Sequence, residues 1–149
     1  MNETEKNVVI QFAKELSVLH HALTFGALAM LMLIYFLVMK GGHFSFTGSS
    51  DIFLYVCPIL AIGGVFGGIM VYKSKIGNID QSKSLVDKLA DYRAASIARF
   101  ALAEGPALIC VVAAMQTNNL LYLMIGGIMI LYLYSMKVSE HKIIDELGL

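Results

Sequence analysis

Four long apolar runs, each close to the length needed to cross a lipid bilayer, constrain this chain more than any single residue does. A span takes about 20 mostly apolar residues, because a helix rises about 1.5 Å per residue across a hydrocarbon core of about 30 Å. The runs lie at about 17–39, 52–72, 95–115 and 120–136. Only 15% of the 149 residues are charged, 58% are hydrophobic, and mean hydropathy is +0.72. An ordinary soluble domain carries about 25% charged residues. One of this size has too much surface for its volume to hide so much apolar area. The expected fold is therefore all-α: a four-helix transmembrane bundle forming a single membrane domain over residues 1–149, with the lipid bilayer as its solvent.

Polar segments between the runs set the connectivity. Gln116–Asn119 is so short that the third and fourth runs must form a tight antiparallel hairpin. Gly41–Ser50 is a short Gly- and Ser-rich loop, and Asp51 is placed to cap the second span. Residues 73–94 form the one sizeable soluble segment. Lys6 and Lys14 precede the first span, Lys73, Lys75, Lys83, Lys88 and Arg93 lie in this segment, and Lys137 and Lys142 follow the last span. Four spans put these regions on one side and leave Lys40 on the other. The positive-inside rule then predicts that both N and C termini are cytoplasmic. The first run is too long for a signal-peptide core and lacks a small-residue cleavage site, so it is expected to stay as an anchor. A formal net charge of zero argues against a nucleic-acid partner.

Helical periodicity continues beyond the membrane. Leu85, Leu89 and Tyr92 recur at i, i+4 and i+7, with Asp80 as the expected cap and Lys83–Asp87 as the expected i, i+4 pair. No Gly or Pro interrupts the stretch from Asp80 to Gly105. The third helix should therefore extend several turns into the cytoplasm. Val9, Phe12, Ala13 and Leu16 mark one face of a helix over Asn2–Leu16, which either lies in the membrane interface or extends the first span inward.

Glu104 is the residue with the most chemical meaning. It falls about two turns inside the third span, where a carboxylate is expensive and marks an ion pathway, a proton relay or a pairing site. Pro106 lacks a backbone N–H and should expose a carbonyl near that carboxylate. Two roles are open: binding and releasing a proton or cation, or joining helices. Arg99 either snorkels to the headgroups or pairs with Glu104, five residues on. His20, His21 and Thr24, with Ser17, sit at a similar depth on the first span and are candidates for a polar cluster facing Glu104. Adjacent histidines point to different faces, so no metal or haem site is expected.

Gly63, Gly64, Gly67 and Gly68 place the small-xxx-small pattern twice on the second span, which favours close helix packing. Cys57 and Cys110 fall at similar depths and are expected as buried free thiols. His43, Phe44 and Phe46 offer interfacial anchoring or a partner contact. Phosphate-loop, zinc and dinucleotide fingerprints are missing from the sequence, so neither catalysis nor a cofactor is expected.

The unit made of the glycine-rich span, the polar loop and the span reading Ile-Ala-Arg-Phe-Ala-Leu-Ala-Glu104-Gly-Pro-Ala-Leu-Ile resembles the helical hairpin of the rotary ATPase proteolipid, subunit c. In that family the glycine helix packs tightly in a ring and a carboxylate on the second helix binds the transported ion. The resemblance covers roughly residues 52–116. It implies that Gly63 to Gly68 match the glycine motif and that Glu104 is the ion-binding carboxylate. Two further spans flank the hairpin, and the loop is longer. The whole chain also resembles uncharacterised four-span membrane proteins of Bacteroidota, which implies a multi-pass protein of a bacterial inner (cytoplasmic) membrane. Two functions are expected from this: proton or cation binding with ion translocation, or a non-transporting accessory or assembly role in a membrane complex. In either case the partner is a second copy of the chain or another membrane protein.

Overall fold

The structure is a computed structural model and describes residues 2–40 and 51–149. The expected loop Gly41–Ser50, with His43, Phe44 and Phe46, lies outside the described residues. Five helices make up the fold: α1 Glu3–Lys40, α2 Phe53–Gly77, α3 Leu85–Thr117, α4 Leu120–Ser135 and α5 Glu140–Leu147. Among the described residues there is no strand, so the fold is all-α. Three helices, α1, α2 and α3, are long and apolar enough to cross a membrane. The 16 residues of α4 reach only about 24 Å, and after it the chain bends by 75° into α5.

α1 is one helix of 38 residues, about 57 Å long. The Asn2–Leu16 segment is thus continuous with the helix of the first apolar run. A reciprocal capping box starts it. The Asn2 backbone N–H donates to Glu5 Oε2 and the Glu5 backbone N–H to Asn2 Oδ1, both at 2.8 Å. α3 is likewise unbroken from Leu85 up to Gly105, as the lack of Gly and Pro there predicted, and it continues through Pro106 to Thr117.

Local details differ from the sequence reading. The cap of α3 is Ser84, whose Oγ accepts the Asp87 N–H at 3.3 Å. Asp80 instead closes a turn, accepting the Ser82 N–H and hydroxyl, both at 2.8 Å. Lys83 precedes the helix, so helical i, i+4 spacing does not govern it, and it bridges to Asp91 at 2.7 Å rather than to Asp87. The α3–α4 turn is as tight as expected. Asn118 takes the left-handed conformation (φ +50°), and the Asn119 side chain accepts the Leu121 N–H at 3.0 Å. The N-cap of α2 is Ile52 rather than the expected Asp51, which stands one residue earlier, accepts the Leu54 N–H at 3.2 Å and receives the Tyr122 hydroxyl of α4 at 2.6 Å.

α3 is the central helix, packed against α1, α2 and α4. Its N-terminal half and that of α1 form a second core beyond the apolar spans. Val9, Phe12, Ala13 and Leu16 of α1 meet Leu89, Tyr92 and Ala95 of α3, Tyr72 of α2, and Ile143 and Leu147 of α5. The face predicted for Asn2–Leu16 is thus buried against protein.

Candidate functional site

Glu104 is half-buried in the apolar part of α3. Among the described residues no hydrogen bond or ion pair reaches its carboxylate. It lies seven residues after Ile97 and eleven after Arg93, which at 3.6 residues per turn puts all three on one stripe. Ile97 and Arg93 line an open apolar groove of about 510 Å³ against α1, together with Val8, Phe12 and Val86. The rim of the groove carries an Arg93–Glu15 bridge of 2.7 Å, and the Arg93 guanidinium lies 5.2 Å from the Phe12 ring centre. Glu104 therefore shares the face of α3 that carries Ile97 and Arg93, whereas Leu102 and Pro106 take the α2 side.

This geometry separates residues that the sequence placed together. Five residues along a helix turn by about 140°, and Arg99 uses that turn to reach α2, where its guanidinium lies 5.0 Å from the Tyr72 ring centre. The carbonyl released by Pro106 is that of Leu102. It faces Gly64 of α2 and not the carboxylate, because a two-residue step turns by about 160°.

The expected His20–His21–Thr24 cluster splits by face as well. His20 is 3% exposed; its Nε2 bonds to the Leu133 carbonyl of α4 at 2.8 Å, and its ring packs 4.9 Å from that of Phe100. The buried hydroxyl of Thr24 donates to the His20 carbonyl at 2.8 Å, a contact within α1. His21 is exposed, with Nδ1 2.7 Å from the Ser17 carbonyl. These side chains tie α1 to itself and to α4 and α3. No bond links them to Glu104.

The four glycines of α2 also divide. A Cβ on Gly64 would strike the Leu102 carbonyl and lie 2.8 Å from Pro106 Cγ, and one on Gly68 would lie 3.5 Å from the Arg99 carbonyl. Gly63 and Gly67 meet nothing within 4 Å. One small-residue face is therefore used inside the chain and the other points away from it. Gly126 of α4 makes a matching approach to α3, where a Cβ would lie 2.9 Å from Val111 Cγ2 and 3.1 Å from the Ala107 carbonyl. Cys57 and Cys110 are buried neighbours with free thiols, the Cys110 Sγ lying 3.9 Å from the Cys57 carbonyl.

Sequence reasoning missed the polar cluster at the other end of α2. Glu146 of α5 receives the Tyr72 hydroxyl at 2.5 Å and the Tyr92 hydroxyl at 2.9 Å on the same oxygen, and the two phenol oxygens are 2.9 Å apart. Lys142 reaches Glu146 at 3.9 Å and lies 5.3 Å from the Tyr72 ring centre. The signal was present. Ser139 caps, Ile143 and Leu147 stand at i, i+4, and Gly148 ends the helix in the left-handed conformation.

Among the described residues no group of three or more His, Cys, Asp or Glu side chains is placed to hold a metal ion. Comparison with known family models, curated proteins and solved structures finds no match.

Proposed function

We propose that this is a multi-pass protein of a bacterial inner (cytoplasmic) membrane, with α1 to α4 as four spans and both termini cytoplasmic, in which Glu104 exchanges a proton or cation in support of ion translocation. The four-span reading is supported by α4, which is short but carries no charged residue and is turned back along α3 by the Asn118–Asn119 turn. The orientation is supported by the basic residues gathered on one side of the spans.

One observation carries the role of Glu104: a carboxylate in an apolar span that no protein donor or cation meets among the described residues. A residue that merely joins helices needs a partner on another helix, and the nearest cation in sequence, Arg99, is turned toward Tyr72. An unpartnered acid in hydrocarbon needs a proton or a cation from elsewhere. The α2–α3 hairpin shares two ingredients with subunit c, close glycine packing and a carboxylate. Here the carboxylate is turned away from α2, so another helix of the bundle or a neighbouring copy would complete the exchange site.

Dicyclohexylcarbodiimide labelling across pH, mapped by mass spectrometry, and proton flux in proteoliposomes test this reading. Selective labelling of Glu104, with flux lost in folded Glu104→Gln, is the expected result. Flux unchanged in Glu104→Gln would sink it.

A second reading, an accessory or assembly subunit without transport, is favoured by the Gly63/Gly67 face, on which nothing packs among the described residues. It expects a co-purifying membrane partner, or a second copy, that is lost in Gly63→Leu or Gly67→Leu. Retention of the partner in both variants rules out that face.

A further inference from the structure

A cationic hollow forms where the middle of α3 meets the C-terminal ends of α2 and α4 and the start of α5. Arg99, Lys137 and Lys142 line it, with Tyr72 and Ser96. Its nearest acid is already engaged. One oxygen of Glu146 takes the two phenol hydroxyls, and the other lies 3.9 Å from Lys142. Arg99 has no acidic partner among the described residues. Its Nε is buried and makes no hydrogen bond there. The side chain is held by stacking over Tyr72, which satisfies the charge in part and leaves the N–H donors unmatched.

We infer that this hollow binds a phosphate-bearing anion, with the headgroup of an anionic phospholipid as the occupant favoured by its position. Three cations against one carboxylate leave an excess of two positive charges, and a guanidinium with unmatched donors fits the paired oxygens of a phosphate. The cavity is about 10 Å³, room for roughly one oxygen atom. One phosphate oxygen therefore enters toward Arg99, while the rest of the group stays at the mouth with Lys137, which is exposed. The position is that of a membrane surface: Arg99 lies just inside the apolar stretch of α3, and Lys137 follows the apolar helix α4 directly. Basic pockets between helices at this level are where anionic headgroups dock. The inference needs these helix ends to lie at a bilayer surface and is independent of any transport by Glu104.

The test uses full-length protein purified in mild detergent and stripped of lipid. Native mass spectrometry would follow binding of phosphatidylglycerol against phosphatidylcholine, with inorganic phosphate added in a parallel series. Phosphatidylglycerol should bind at least tenfold better than phosphatidylcholine. Arg99→Gln and the double variant Lys137→Gln/Lys142→Gln should each lose that preference, and Arg99→Lys should keep part of it. If Arg99→Gln does not fold, the exposed-side double variant decides alone. Saturable binding of inorganic phosphate without lipid preference would keep the anion site and assign it to a free phosphate. Equal binding of both lipids with no phosphate binding, or a preference unchanged in folded variants, overturns the inference.

Discussion

Gly64 of α2 and Leu102 of α3 stand backbone against backbone, so close that a Cβ on the glycine would strike the Leu102 carbonyl oxygen. Two sequence choices produce this contact. Pro106 removes the N–H that would have bonded to the Leu102 carbonyl within α3. Gly64 removes the side chain that would have kept α2 away from it. The freed carbonyl then faces the small Cα–H surface of α2, a weak donor.

Gly64→Ala should therefore cost about 1–3 kcal/mol by overpacking. Gly63→Ala, one position along, meets open space and should be neutral or gain up to about 1 kcal/mol of helix propensity. Thermal unfolding of both variants in one detergent measures the difference. Equal effects would contradict the α2–α3 contact.

The two neighbouring histidines should respond differently. His20→Leu removes the bond to the Leu133 carbonyl that joins α1 to α4, at a cost of about 0.5–1.5 kcal/mol. The Met136 N–H still reaches that carbonyl at 3.0 Å, which limits the loss. His21→Ala breaks only a contact within α1 and should stay within about 0.5 kcal/mol of the parent. The same unfolding measurement reads both.

Glu146→Ala should release α5. The carboxylate accepts two phenols, and hydrogen bonds to a charged group contribute about 1.5–3 kcal/mol each. Ile143 and Leu147 lose their cover when the helix lifts. Limited proteolysis should then cut within residues 136–147 at a rate at least tenfold above the parent. Tyr92→Phe, which leaves the Tyr72 hydroxyl in place, should have the smaller effect.

The loop before α3 should respond to pH at two edges. The Ser82 N–H and hydroxyl hold the Asp80 carboxyl below its ordinary range. A lowered folded value means that the turn gains from ionised Asp80 above the ordinary carboxylate value, about 4, and loses that gain as pH falls through the folded value. The bond to Asp91 raises Lys83 above its ordinary range. That contribution is full below the ordinary lysine value, about 10.4, and disappears as pH rises through the folded one. The Ser82 amide resonance should shift only on the acid side, and not at all in Asp80→Asn.

Sequence alone determined the class and most of the helices. Apolar runs of 16 residues or more, broken by short polar turns, leave a chain no other way to satisfy its backbone than helix. Continuity of α3 as far as Gly105 followed from the lack of Gly and Pro there, and the buried face of Asn2–Leu16 followed from its spacing. Glu104 was visible as the lone acid within an apolar run. Tertiary structure decided what those residues face. Only the rotation of each helix about its axis assigns Gly64 to an internal contact and leaves Gly63 open, or sends Arg99 to Tyr72 and turns Glu104 away from α2. Rotation is set by which neighbouring surfaces fit, and a single helix carries no record of its neighbours. The joining of Tyr72, Tyr92 and Glu146, separated by up to 74 residues, depends on three such fits at once.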